Sequence, residues 1–231
     1  EKIVTQAVKT GYTLIITVDN GISAYDALLA AKKYAIDVIV TDHHQPPNPL
    51  PEGAYCFVNP HQKECLYPFK DLAGVGVAFK LVQLLYEKLG LILPDKAYEL
   101  FLFGTIADVM PLVKENRNLV AQGLKKIINS VSPAISILKA NAKIDESKIL
   151  QASDIAFSLA PQLNALGRLD DPRQGVSFLI SHQQNIIETI GGYLLELNNA
   201  RRAIEKEIFE NVIKMIDKEF DAWKKKSCIV V

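Results

Sequence analysis

Two short runs of β-branched and aliphatic residues, each closing on an acidic turn and set about one helix apart, constrain this chain more than any other feature. Thr13-Leu14-Ile15-Ile16-Thr17-Val18 runs into Asp19-Asn20-Gly21, and Asp37-Val38-Ile39-Val40-Thr41 runs into Asp42-His43-His44. Apolar runs of this length bounded by turn residues read as buried strands. Between them, Ser23 is placed to cap a helix through Ala24, Ala27, Leu28, Ala31 and Tyr34. Strand, helix and strand in so few residues make a βαβ unit, whose strands are parallel, adjacent or nearly so, and joined by a right-handed crossover. Neither run alternates polar with apolar residues, which predicts a sheet covered on both faces. Pro46, Pro47, Pro49 and Pro51 demand an extended loop, and Tyr55-Cys56-Phe57-Val58 predicts a third strand ended by Asn59-Pro60.

Beyond Leu72 the hydrophobic period becomes helical. Val75, Phe79, Val82 and Leu85 form one stripe, Leu100, Phe103 and Ile106-Ala107 a second, and Leu119, Leu124 and Ile127-Ile128 a third. Residues 133–180 read as short helices broken by Pro161, Gly167 and Pro172. The longest periodic stretch, 183–226, carries Ile190, Leu194, Leu197, Ile204, Ile208 and Met215 on a three-four repeat. A helix of roughly 30–40 residues reaches about 45–60 Å, more than one small domain needs, and reads as a spacer between two neighbours. The fold class is therefore α/β: a parallel sheet flanked by helices, a helical second half and a long C-terminal connecting helix.

Composition narrows the functional classes. The 231 residues balance 26 Lys+Arg against 26 Asp+Glu, so a polyanionic partner needs a local patch or a metal rather than a global field. No run approaches the ~18 apolar residues of a membrane span. Three scattered cysteines, Cys56, Cys65 and Cys228, read as reduced thiols in a cytoplasmic protein rather than a disulfide framework. Cys56, His61 and Cys65 supply only three ligands at irregular spacing, short of a zinc site. Lys224-Lys225-Lys226 suits a nucleic-acid backbone and the C-terminal dipole of a helix equally well. The chain opens inside a helix without an initiator Met and stops on Cys228-Ile229-Val230-Val231, the start of a strand, which reads as a piece of a longer chain.

Chemistry is expected where the strands end. Ligands of open α/β sheets collect beyond the carboxyl ends of the strands. Neighbouring strand axes lie only ~4.8 Å apart, so Asp19 and Asp42-His43-His44 would converge on one rim. Carboxylate and imidazole together suit a borderline divalent ion such as Mn²⁺. A carboxylate such as Asp19 can bridge two ions, and two ions clamp the attacking and leaving oxygens of a phosphoryl displacement. Taken singly, Asp19 also suits a turn or helix cap, and the Asp-His-His triplet a solvated loop. Asp108, inside the apolar run Phe103-Gly104-Thr105-Ile106-Ala107-Asp108-Val109-Met110-Pro111-Leu112, reads as a buried carboxylate that needs a cation, a metal or donors, or as a helix-terminal cap or a partner for a buried Arg.

Val18-Asp19-Asn20-Gly21-Ile22-Ser23, Thr41-Asp42-His43-His44, Asn59-Pro60, Leu72-Ala73-Gly74-Val75-Gly76-Val77-Ala78-Phe79-Lys80 and the run from Gly104 to Leu112 together resemble the DHH phosphoesterase superfamily. Within it they resemble the RecJ-like single-stranded-DNA-specific exonucleases, as do Leu163-Asn164-Ala165-Leu166-Gly167-Arg168-Leu169 and Asn198-Asn199-Ala200-Arg201-Arg202-Ala203-Ile204-Glu205. The resemblance implies a catalytic set of Asp19, Asp42, His43, His44 and Asp108. Asp19, His43 and Asp108 would ligate two Mn²⁺ or Mg²⁺ ions. Asp42 would orient the imidazoles, while His44, Asn164 and Arg168 would contact nucleic acid. Gly74-Val75-Gly76 serves either close helix–sheet packing or phosphate binding through its N–H groups.

The same resemblance implies a DHH catalytic domain over 1–182, a connecting helix over 183–226 and the first residues of a following domain over 227–231. It implies 5′-to-3′ hydrolysis of single-stranded DNA in recombination and repair, with a helicase or single-strand-binding protein as a possible partner. The family's Asp-x-Asp motif would lie before Glu1 and its DHH-associated domain after Val231, so this piece alone is expected to be inactive. Where relatives often carry Arg before Leu-Asn-Ala, this chain has Gln162. Two other readings stand beside the exonuclease: a DHH pyrophosphatase or short-oligonucleotide or cyclic-dinucleotide phosphodiesterase, and a non-catalytic DHH replication scaffold.

Overall fold

The computed structural model describes residues 2–129 and 132–218. Helix α1 (Lys2–Thr10) leads into β1 (Leu14–Val18), α2 (Tyr25–Lys33), β2 (Asp37–Thr41) and β3 (Cys56–Val58). Then follow α3 (Gly74–Lys88), α4 (Asp95–Ala107), α5 (Lys114–Asn129), α6 (Pro133–Asn141), the single turn α7 (Ala152–Asp154), a π-helical turn (Ile155–Leu159), α8 (Ala160–Leu169), α9 (Arg173–Ile180) and α10 (Gln184–Lys218). These elements fall into two compact units, one within 1–130 and 149–156, the other within 131–148 and 157–231. No helix among the described residues is long and apolar enough to cross a membrane.

In the first unit the strands are parallel in the order β1-β2-β3, with Val18 opposite Thr41 and Thr41 opposite Val58. The βαβ expectation holds, and the register puts all three strand ends level. Val38 and Val40 of β2 are buried with Val4 and Ala7 of α1 and with Leu28 and Ala31 of α2. Helix α3 also contacts β1 and β2, and Leu72 and Val77 pack with Phe69. Cover on both faces is not complete: Leu14, Ile16 and Val18 on one face of β1 remain about half exposed. The α3 stripe needs the same correction, since Val77 and Phe79 are buried whereas Val82 and Leu85 face solvent.

The second unit is helical. α10 packs on α6, α8 and α9 through Ile187, Gly191 and Leu194. Its 35 residues correspond to about 52 Å. The three-four repeat continues past Asn198, but Ile204, Ile208 and Met215 are exposed. Gly167 does not break α8, which runs through it, and Pro161 is the second residue of that helix, directly after the π-helical turn. Residues 219–231, with Lys224–Lys226 and Cys228, lie outside the described residues.

Candidate metal centre

The chain leaves β1 through a backbone turn that aims Asp19 over the sheet rim. Asp19 adopts a left-handed φ of 64°, which aspartate tolerates better than most residues. Its N–H continues the β-ladder to the Thr41 carbonyl at 3.0 Å. Below it, the Thr17 hydroxyl donates to the Asn20 carbonyl and the Asn20 amide to the Val18 carbonyl. Gly21 follows at φ 109°; a Cβ there would lie 2.8 Å from Thr17 Oγ1 and 3.1 Å from Val40, so the turn needs glycine. Ser23 is not the helix cap. Ala24 holds that position without a side-chain bond, because the chain first carries the Ile22 N–H onto Asp42 Oδ2 at 3.0 Å.

Asp42 is 1% exposed, and one of its oxygens organises the triplet that it starts while the other holds the turn after β1. Oδ1 accepts the backbone N–H of His43 (2.8 Å) and of His44 (3.2 Å) and meets His44 Nδ1 at 2.7 Å, while Oδ2 takes the Ile22 N–H. Burial alone would raise this carboxyl, but those four hydrogen bonds outweigh it and hold Asp42 below the usual carboxylate range. An ionised carboxylate only accepts, so His44 Nδ1 carries a proton and donates it to Asp42, which leaves Nε2 as the lone-pair nitrogen of the neutral ring. The bond to Asp42, with the charges of Asp42, Asp19 and Asp108, raises His44 above the ordinary imidazole value against the effect of burial. Asp42 thus orients the His44 ring; toward His43 it holds only the backbone.

His43 is the meeting point. Its Nε2 lies 3.0 Å from Asp19 Oδ1 and 3.6 Å from Asp108 Oδ2, and its side chain is 13% exposed. The His43 and His44 rings stand 4.6 Å apart at 57°. Asn59 Nδ2 secures the His44 carbonyl at 2.9 Å and Asn59 Oδ1 accepts the His61 N–H, which ties the triplet to the end of β3. Asp108 follows the helix-terminal reading rather than that of a buried carboxylate. It is the residue at which α4 stops, its side chain is 43% exposed, and it faces His43. Partial burial raises its pKa, against the two imidazoles and with the help of the Asp19 charge.

Two supporting features were not legible as such. Gly74, first residue of α3, touches Asp19: a Cβ there would fall 2.3 Å from Oδ1 and 2.5 Å from Cγ of Asp19. The close packing expected of Gly74-Val75-Gly76 is therefore packing onto the carboxylate itself. The helix α4 terminus is the other. Met110 N–H bonds the Thr105 carbonyl and Val109 N–H the Ile106 carbonyl, a Schellman stop that places Val109 at φ 55°. Glycine usually holds that position, and a β-branched residue is strained there.

Asp19, His43 and His44 each offer a donor atom within 4.8 Å of the others, with Asp108 beside His43. Two carboxylates and two imidazoles on one rim suit a divalent ion of Mn²⁺ type rather than a thiolate-seeking metal. Among the described residues Cys56, His61 and Cys65 form no such cluster. Asn164, exposed, and Arg168 lie four residues apart on α8 in the second unit. Gln162 is not at the surface. It is 1% exposed and its Nε2 donates to the Leu138 and Ser158 carbonyls, both at 2.9 Å, so it serves that unit's core.

Comparison with known proteins matches residues 1–105 to the DHH family, N-terminal domain. The chain is 38% identical over 211 residues to the single-stranded-DNA-specific exonuclease RecJ of Bacillus subtilis, covering 90% of this chain and 26% of that protein. It is 40% identical over 217 residues to the Escherichia coli protein of the same name, covering 89% and 37%. The crystal structure of Thermus thermophilus RecJ in complex with Mn²⁺ superposes with a TM-score of 0.80 at 31% identity, over 92% of this chain and 32% of that one. The chain thus spans only about a quarter to two fifths of the curated relatives' length.

Proposed function

We propose that the protein, whose residues 1–105 match the DHH family, N-terminal domain, is a metal-dependent phosphodiesterase of RecJ type, an exonuclease that degrades single-stranded DNA from its 5′ end in the cytoplasm, in recombination and repair. The observation that carries the reading is His43 Nε2 held between the carboxylates of Asp19 and Asp108 at the level ends of parallel strands. Identity of 38–40% to exonucleases named RecJ supports the choice of substrate. The converging ligand set supports an enzyme over a scaffold, which has no use for it.

In this reading Asp19, His43 and Asp108 would hold two divalent ions, and His44 Nε2 would serve as a further ligand or phosphate contact. The ions, when bound, lower the pKa of water and offset charge on the phosphate. The chain's own residues do the rest. Asp42 keeps the proton on His44 Nδ1, so that Nε2 presents the same face throughout. Gly74 keeps the Asp19 carboxylate against the start of α3. Asn164 and Arg168 supply phosphate contacts, a role suited to an amide and a guanidinium fork. Residues 1–182 would form the catalytic part and 183–226 the connector, with a helicase or single-strand-binding protein feeding the strand.

Release of nucleotides from a long, 5′-labelled single strand in Mn²⁺ tests the assignment in the intact protein. Asp19→Ala and His43→Ala should abolish release while strand binding survives. Faster turnover of di- and trinucleotides than of the long strand would favour the small-substrate alternative, and wild-type turnover in either variant would refute the site.

A further inference from the structure

We propose that Asn116, a residue outside the ligand cluster, is a positioning residue that fixes Asp108 against the segment seating Asp19; the inference rests on the metal-site reading above. Asn116 is fully buried in the first turn of α5. One Nδ2 group donates to two carbonyls from distant parts of the chain, Asp71 at 2.6 Å and Pro111 at 3.1 Å. Asp71 lies three residues before Gly74, whose backbone is in contact with the Asp19 carboxylate. Pro111 lies three residues after Asp108. A single side chain therefore spans the two approaches to the centre.

Three further observations separate this from ordinary core filling. Asn116 Oδ1 is buried with no hydrogen-bond partner among the described residues. An unpaired buried acceptor is costly, so the amide is kept for its two N–H groups. The loop that it holds contains Val109 in a left-handed conformation, which persists only where surrounding contacts over-determine it. The preceding residue also braces this seam: Glu115 pairs with Lys80 of α3 at 2.9 Å and accepts the Tyr67 hydroxyl at 2.7 Å. Burial and Glu115 push the Tyr67 phenol well above its ordinary value, which keeps it a donor at any working pH. Glu115-Asn116 thus ties α3 to α5 on one side and to the Asp108 loop on the other.

The test is a Mn²⁺ titration, read by electron paramagnetic resonance, on Asn116→Ala in the wild-type and Asp108→Ala backgrounds, with thermal melting alongside. Affinity should fall about ten-fold in the wild-type background, the low end for residues supporting metal ligands, and most of that loss should vanish once Asp108 is absent. If Asn116→Ala does not fold, Glu115→Gln, a partly exposed change in the same brace, carries the same cycle with a smaller fall. An equal loss in both backgrounds, or none, would overturn the positioning role. Unchanged Mn²⁺ affinity in Asp108→Ala by itself would overturn the reading of Asp108 beneath it.

Discussion

The carboxyl rim of the sheet and the second half of α10 are opposite ways of using a regular element. At the rim, Asp19, Asp42, His43, His44 and Asp108 each meet another member of the set. Asp42 alone engages three backbone N–H groups and one ring. Along α10 the regularity is greater and the fixation less. Ile187 and Leu194 are buried, yet from Ile204 onward the same stripe faces solvent, with Phe209 64% exposed. A helix satisfies its interior backbone groups from within, whereas a ligand cluster needs each side chain fixed from outside.

Substitutions can break that contrast. The largest effect is expected within α10: Leu194→Ala, at a fully buried position, should cost about 3 kcal/mol in urea denaturation. Asp42→Asn comes next, at about 2 kcal/mol, since an amide nitrogen would face donors that now meet a carboxylate. Its pH signature is separate. Asp42 is held below its ordinary value, so it contributes stability above about pH 4 that is lost as pH falls through its native pKa. His44 is held above its ordinary value, so its contribution is complete below about pH 6.5 and disappears as pH rises through its native pKa. Melting temperature against pH should show both limbs in the metal-free protein, and Asp42→Asn should flatten both.

Smaller changes sharpen the comparison. Val109→Gly should stabilise by about 1 kcal/mol by relieving the left-handed φ, while weakening Mn²⁺ binding as Asp108 loosens. A rise in stability without loss of affinity would separate the strain from the site. On the outer part of α10, Ile208→Ser should move the urea midpoint by no more than the equivalent of about 0.5 kcal/mol, since that side chain is 58% exposed.

The sequence resolved the sheet best because its signals are local. Residues 37–41 form β2 as expected, and Asp19 and the triplet meet because parallel neighbours in register end together. The uncovered face of β1 was not legible, since an apolar run reports burial potential and not which helix reaches it. The buried reading of Asp108 misled through its apolar neighbours, which line the buried end of α4 while the chain turns outward at that residue. Ser23 misled because residue preference alone does not register the pull of Asp42 on Ile22. Asn116 carried no signal, for an asparagine between Glu115 and Arg117 looks like helix surface until tertiary contacts bury it.

The claim that His43 joins two carboxylates into a cation site is tested most directly by Mn²⁺ binding at pH 6 and pH 8. A divalent ion binds the lone pairs of carboxylate and imidazole ligands, so protons compete with it for the cluster. Wild-type protein should therefore bind more tightly at pH 8 and release protons as it does so. His43→Ala should lose both the affinity and the proton release. Equal binding by wild type and variant, with no dependence on pH, would contradict the account.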